Sequence, residues 1–308
     1  MVEYPSENWR DYALIDSGNG EKLERFGSYV MARPEPKALW TPSLSPEQWD
    51  AKMHTRFTPG AGFGKAGKED VGTWSKAKRM DEQWRIVYPG LQKGLRLDLR
   101  LGLTSFKHVG VFPEQAPNWE FIFRQCSSLA DRAKAASVPA PKVLNLFAYT
   151  GGASLAARAA GADVTHLDSV RQVVNWARGN MDNSGMDGIH WVVEDAMKFA
   201  KREERRGHLY DGIILDPPAY GHGPDGERWK LDDCLFEMLS TVNHILKPKD
   251  SFLVLNLYSN GYSALLGETI VREAFGLKGD YKLESGELAL RDGFGKNLPL
   301  SIVVRLVR

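Results

Sequence analysis

The run Tyr210-Asp211-Gly212-Ile213-Ile214-Leu215 is strand-sized and largely apolar, and it stops at Asp216-Pro217-Pro218-Ala219-Tyr220. Two successive prolines cannot continue a central strand, because neither has the N–H that a ladder hydrogen bond needs. The first proline also drives Asp216 into extended backbone. An acidic side chain is thereby held at the carboxyl end of a buried strand, the edge at which open α/β sheets bind ligands.

The chain around this point predicts such a sheet. From Trp119 onward, helices and strands alternate: helix to about Ala135, strand Lys142 to Phe147, helix Ala153 to Ala160 closed by Gly161, and strand Asp163 to Leu167. In the next helix Val170, Val173, Val174, Ala177 and Met181 recur at helical spacing and predict one buried face. Strand Ile189 to Val193, helix Met197 to Arg206, strand Tyr210 to Leu215, helix Leu231 to Leu246 and strand Phe252 to Leu257 continue the rhythm. Lys282 to Leu290 and Leu300 to Val307 then read as an antiparallel hairpin at the sheet edge. The fold class is α/β, a Rossmann-like sheet with a carboxy-terminal antiparallel hairpin.

Residues 11–105 read differently, as short strands between Gly/Pro turns. Tyr12 to Ile15 and Phe26 to Arg33 flank an Asn19-Gly20 hairpin signal, and Gln83 to Tyr88 and Leu95 to Leu101 are further strands. The Gly-rich stretch 58–72 is expected to be a mobile loop. The expected organisation is a β-rich accessory domain over 1–105, a possible substrate- or RNA-binding unit, and a catalytic domain over 106–308.

The 308 residues carry a net charge of +1, but the charge is unevenly spread. Residues 52–107 hold twelve Lys/Arg against five acids, interleaved with Phe57, Phe63, Trp74, Trp84, Tyr88 and Phe106. A nucleic-acid-facing module has this composition. A solvated surface over a small aromatic-cored β-domain accounts for it equally well. No apolar stretch reaches the ~20 residues that span a bilayer, and no secretory signal opens the sequence. Cys126 and Cys234 lack metal-ligand spacing and are too few for a disulfide framework, so no metal site is expected and a cytoplasmic location is the default.

The first strand of the alternating half runs into Asn145-Leu146-Phe147-Ala148-Tyr149-Thr150-Gly151-Gly152, a strand, a glycine turn and then a helix. Such a turn lets backbone approach an adenosine-bearing ligand, although the full G-x-G-x-x-G spelling is absent. Asp168 falls at the tip of the second strand, where a carboxylate can accept both ribose hydroxyls, and Glu194-Asp195-Ala196 ends the third. Taken singly, Gly151-Gly152 is also consistent with a plain tight turn and Asp168 with a helix N-cap.

Together these features resemble class I S-adenosylmethionine-dependent methyltransferases over residues 142–258. More narrowly, Asp216-Pro217-Pro218-Ala219-Tyr220-Gly221, the 145–152 turn and Lys22-Leu23-Glu24-Arg25-Phe26-Gly27 resemble the group related to ribosomal RNA cytosine carbon-5 methyltransferases. The resemblance implies S-adenosyl-L-methionine as cofactor and an RNA base as acceptor. It assigns cofactor contacts to Phe112, Pro113, Asn145, Phe147, Tyr149, Thr150, Gly151, Asp168, Ser169, Asp195 and Asp216, with His108 to Gln115 closing over the pocket.

At the acceptor, Asp216 is expected to take hydrogen bonds from an amine, aided by the Pro217 carbonyl at the Pro217-Pro218 turn, with Tyr220 as the stacking ring. In methyltransferases acting on exocyclic nitrogens the aromatic directly follows the second proline. Here Ala219 intervenes, as in the RNA carbon-5 group. Carbon-5 chemistry needs a thiolate to add to the ring, and in the resembling enzymes it follows the fifth strand. This chain reads Leu257-Tyr258-Ser259-Asn260-Gly261 there, without cysteine. The loop 221–230 is a candidate substrate lid. Competing expectations are a methyltransferase for a protein side chain or small molecule, and a non-catalytic RNA-binding protein on the same fold.

Overall fold

The computed structural model describes residues 1–63, 70–258, 261–278 and 281–308. Lys65, Lys68, Glu69 and the centre of the Gly-rich loop lie outside the described residues, as do Ser259 and Asn260.

The first third is built of β1 (Val2–Glu3), β2 (Tyr12–Gly18), β3 (Glu21–Phe26), β4 (Tyr29–Pro34), α1 (Pro46–Lys52), β5 (Thr55–Pro59), β6 (Gly72–Lys76), β7 (Gln83–Tyr88) and β8 (Leu97–Gly102). Strands β2 to β6 form one sheet in sequence order, and β7 and β8 form a separate ribbon. The Asn19-Gly20 turn joins β2 to β3, both residues with positive φ as a tight hairpin requires. The single strand expected over Phe26 to Arg33 is instead two strand segments: Gly27, at φ 61°, reverses the chain, and β4 folds back on β3.

The remainder comprises α2 (Ala116–Ala135), β9 (Lys142–Leu146), α3 (Gly152–Ala159), β10 (Asp163–Asp168), α4 (Arg171–Asn183), β11 (Ile189–Val193), α5 (Ala196–Arg206), β12 (Gly212–Leu215), β13 (Tyr220–His222), β14 (Arg228–Lys230), α6 (Leu231–Ile245), β15 (Phe252–Leu257), α7 (Ala264–Phe275), β16 (Lys282–Arg291) and β17 (Asn297–Val307). Eight strands form one sheet in the order β1-β16-β17-β15-β12-β9-β10-β11. Its central strands β15, β12, β9, β10 and β11 are parallel, and β17 enters antiparallel beside β15. This is the expected Rossmann-like sheet with a terminal antiparallel hairpin. The order reverses at β9, so the tips of β9, β10 and β12 converge beside one crevice.

Three local features depart from the sequence pattern. Val170 is 48% exposed, and only Val174, Ala177 and Met181 of the expected apolar face are buried, because Val170 precedes the first turn of α4 at the rim of the crevice. Residues 220–230 form a two-stranded ribbon rather than an irregular loop, anchored by buried Trp229, whose ring packs 4.8 Å from Phe147. Helix α7 buries Gly267, Val271 and Phe275 while Leu265 and Leu266 stay exposed, so its apolar residues do not mark out one face in the sequence.

The first third and the remainder share a core. Trp9, Tyr88 and Trp119 meet edge to face, and Leu97, Leu99, Val143, Leu155 and Val254 belong to the same buried cluster. The β7–β8 ribbon is clipped to α4 as well. Trp176, Asn180 and Ser184, one helical turn apart, meet backbone groups of β8: the Trp176 indole N–H donates to Arg100 O (2.8 Å), Arg100 N–H to Asn180 Oδ1 (2.8 Å) and Asp98 N–H to Ser184 Oγ (2.9 Å). A helix face takes the place of a neighbouring strand. Among the described residues no helix is long and apolar enough to cross a membrane.

Asp16 ties the first sheet to the terminal hairpin. Its buried carboxylate accepts from Ser43 N–H, Leu44 N–H, the Trp49 indole and Lys296 Nζ, at 2.8 to 3.1 Å. Burial alone would raise its pKa, but these donors, led by Lys296, lower it to about 2. A depressed carboxylate pKa stabilises the fold above the unfolded value near 4 and ceases to do so as pH falls toward 2. Asp16→Asn is expected to cost about 2 to 3 kcal/mol at pH 7, since the half-buried Lys296 loses its nearer carboxylate and keeps Asp292 at 3.4 Å. Thermal melting from pH 7 to 2.5 checks this, and the gap from wild type should narrow on acidification.

Candidate active site

At the end of β9 the chain turns sharply through Phe147 (φ 57°), Tyr149 (φ 49°) and Gly151 (φ 93°), three left-handed residues in five. Glycine is required where the helix begins. A Cβ on Gly152 would lie 2.9 Å from the Trp119 ring, and one on Gly151 3.1 Å from Ala177 Cβ. Beneath the turn, buried Asn145 donates to Ser154 Oγ (2.8 Å), and Ser154 Oγ lies 2.9 Å from His166 Nδ1. Burial pushes His166 down to about 3, so its ring is neutral and Nδ1 can accept the Ser154 proton. Helix α3 has no side-chain N-cap, which leaves the N–H groups of its first turn without that partner.

Asp168 ends β10 and grips the same turn. Its Oδ2 accepts from Tyr149 N–H (2.9 Å) and its Oδ1 from Val170 N–H (3.0 Å). Burial raises its pKa, and the backbone donors oppose that rise. Each oxygen keeps a second lone pair for a hydroxyl. Asp195 caps α5, its Oδ1 accepting from Lys198 N–H (2.8 Å).

Asp216 follows β12. Its Oδ1 accepts from Asn256 Nδ2 (2.8 Å), and Asn256 Oδ1 is itself held by the Ser301 hydroxyl (2.9 Å), which fixes the amide with its donor toward Asp216. Burial drives Asp216 up to about 7, with the nearby Glu114 charge adding to the rise against the Asn256 hydrogen bond. Pro217 is buried, Pro218 is exposed, and the Pro218 carbonyl takes the Trp229 indole N–H (2.7 Å). Tyr220 is 46% exposed at the start of the ribbon, paired with Lys230.

One cavity gathers Phe112, Asn145, Phe147, Tyr149, Thr150, Gly151 and Asp216. Pro113, Asp168, Ser169, Asp195, Pro217, Pro218 and Tyr220 are not among its lining residues. Gln115, from the segment expected to close over the pocket, lines it too, and sequence reasoning missed Asn118, Trp119 and Asn256, which also line it. The signals were there: an Asn inside the apolar run Phe252 to Leu257, and Gln115 and Asn118 three apart at the entry to a helix. It also missed an aromatic group in which the Phe112 ring lies 5.3 Å from Tyr149, 5.2 Å from Tyr258 and 4.8 Å from His108. Tyr258 donates to the buried Glu114 carboxylate (3.0 Å) and accepts from Gln115 Nε2 (2.9 Å). Burial raises Glu114 too. Neither cysteine lines the cavity; Cys126 is buried in α2 with its thiol pushed well up by desolvation, and Cys234 is half-buried on α6.

A family model described as S-adenosylmethionine-dependent methyltransferase matches residues 68–288. The crystal structure of an S-adenosylmethionine-dependent methyltransferase from Agrobacterium tumefaciens is 39% identical, with a TM-score of 0.85, covering 99% of this chain and 92% of that one. The ribosomal RNA large subunit methyltransferase K/L of Shewanella frigidimarina is 29% identical over 161 residues, 51% of this chain and 21% of that protein. The ribosomal RNA large subunit methyltransferase I of Klebsiella pneumoniae is 31% identical over 103 residues, 32% of this chain and 25% of that protein. The matches thus span about a fifth to a quarter of the length of these curated relatives.

Because folding raises the Asp216 pKa above its unfolded value, it favours the protonated acid. That stabilisation is complete below about pH 4 and is lost as pH rises through about 7. Asp216→Asn, isosteric and always neutral, should therefore melt above wild type at pH 8, with the advantage shrinking steadily toward pH 4. Paired thermal melts across that range check it, and an advantage independent of pH contradicts it.

Proposed function

This chain belongs to the S-adenosylmethionine-dependent methyltransferase family, and we propose that its acceptor is a base of RNA. The observation that carries the reading is the meeting, at one cavity, of the half-buried Asp216 with Phe112 and Tyr149, and of Tyr258 against Phe112. A carboxyl with one oxygen already held, beside a cluster of aromatic rings, suits a flat, hydrogen-bonding acceptor lifted from its strand. The names of the curated relatives point to the same substrate class.

The residues fit the cofactor. Gly151 and Gly152 line the cavity, and Asp168 presents a half-buried carboxylate beside their turn. When bound, S-adenosylmethionine supplies a methyl group on a sulfonium leaving group, so the protein has mainly to align the acceptor and exclude water. In our reading the family contacts fall to Phe112, Asn145, Phe147, Tyr149, Thr150, Gly151 and Asp168. Asp216 offers its second oxygen to an acceptor N–H, and as a group titrating near 7 it can hold the proton an N–H acceptor loses.

We carry the narrower likeness to cytosine carbon-5 enzymes no further than motif and fold. That chemistry needs a thiolate at the acceptor, and Cys126 and Cys234 are both away from the cavity. We therefore propose an acceptor atom nucleophilic enough to need no covalent activation. In this reading the enzyme acts in the cytoplasm, with residues 1–105 serving as the accessory unit on the acceptor side of the catalytic residues 106–308.

The basic segment contributes unevenly. Arg56 pairs with Glu21, Lys76 with Glu82, Arg85 with Asp98 and Lys107 with Asp70. Lys78 and Arg79 are exposed and form no ion pair among the described residues, which makes them our candidates for phosphate contacts. Incubation with methyl-labelled cofactor and fractionated RNA, protein and metabolite pools should put the label in RNA; label in another pool contradicts the proposal. Charge reversal at Lys78 and Arg79 should flatten the salt dependence of RNA binding by roughly 0.7 to 0.9 log units per lost contact. Cofactor affinity should not change.

A further inference from the structure

The turn at the end of β9 is strained, and Asn180 holds it from behind. Thr150 sits between two left-handed residues, Tyr149 and Gly151, and is itself buried. A buried carbonyl left unpaired costs about 1–3 kcal/mol. The Thr150 carbonyl is paired by Asn180 Nδ2 at 2.9 Å. Asn180 is fully buried on α4, and its amide cannot be turned round, because its Oδ1 already takes the Arg100 N–H of β8 at 2.8 Å. One side chain thus bridges the cofactor turn and the β7–β8 ribbon.

A second connection runs parallel to it. The Thr150 hydroxyl donates to Gly110 O at 2.7 Å, and Gly110, at φ 104°, lies so close to Trp176 that a Cβ would come within 2.4 Å of the indole. Trp176 stands one turn before Asn180 and holds the Arg100 carbonyl. Ser184, one turn after Asn180, clips β8 in the same way but has no hydrogen bond to the turn. The three residues therefore share the task of seating β8, and only Asn180 also grips Thr150.

We propose that Asn180 is a positioning residue for the cofactor site: by holding the Thr150 carbonyl it sets the path of the 147–151 turn, and it makes cofactor affinity depend on how the β7–β8 ribbon is seated. The inference rests on the reading of that turn as the cofactor cradle. It does not depend on the acceptor being RNA.

The test is calorimetric titration with S-adenosylhomocysteine, with KM for S-adenosylmethionine and kcat measured alongside. Asn180→Asp keeps the acceptor for Arg100 N–H and places an oxygen against the Thr150 carbonyl. It should weaken binding by about tenfold or more and raise KM more than it lowers kcat. Asn180→Ser, smaller and uncharged, gives the same reading if the aspartate variant does not fold. Ser184→Ala removes a β8 clip alone, and should lower Tm while leaving affinity within about twofold. Wild-type affinity in both Asn180 variants overturns the proposal, as does an equal loss in Ser184→Ala, which would make the effect one of general packing. Failure of the wild-type protein to bind would instead remove the cofactor-cradle reading itself.

Discussion

The left-handed turn between β9 and α3 is the constraint around which the rest of the molecule is arranged. Non-glycine residues at positive φ cost on the order of 1 kcal/mol each, and Phe147 and Tyr149 both adopt such backbone. The turn persists because it is held from every side. Asp168 takes the Tyr149 N–H, Asn180 donates to the Thr150 carbonyl, Trp119 and Ala177 leave room only for glycine, and Asn145, Ser154 and His166 form a buried polar network beneath it. These groups come from two strands, β9 and β10, and three helices, α2, α3 and α4. The fold and the cradle therefore stand or fall together.

Three acidic residues end three parallel strands, and their surroundings give them different work. Asp195 caps the N-terminus of α5. Asp168 is buried but fed by backbone N–H groups, so its charge is partly supported. Asp216 has one amide donor and a second acid nearby, so its proton is held to about pH 7. Identical side chains thus become a helix cap, a turn clamp and a titrating group. Only the last is suited to exchange a proton with an acceptor.

The sheet was legible because its signals are local. Proline after β12, glycine after β9 and the change from period-2 to helical spacing each report a backbone constraint within a few residues. The Asp216 tip and the 145–151 turn were legible for the same reason. What the sequence hid depends on contacts between distant segments. Asn256 reads as an oddity inside an apolar strand until Ser301 and Asp216 flank it, and Tyr258 gains meaning only from Glu114 and Phe112, about 145 residues upstream. Trp229 makes a ribbon of a glycine-rich stretch by burying its ring on Phe147, a contact no window of ten residues can reveal. The position that suggested a ligand role for Asp195 is also that of an N-cap, and one of its oxygens caps α5.

The central claim is that the convergent strand tips form a cofactor site clamped by Asp168. The measurement that reaches it most directly is the affinity of S-adenosylmethionine for the wild-type protein and for Asp168→Ala, by calorimetry. Saturable binding to wild type, weakened about tenfold or more in a folded variant, is the predicted result. No binding to wild type, or equal binding to both, would contradict the account.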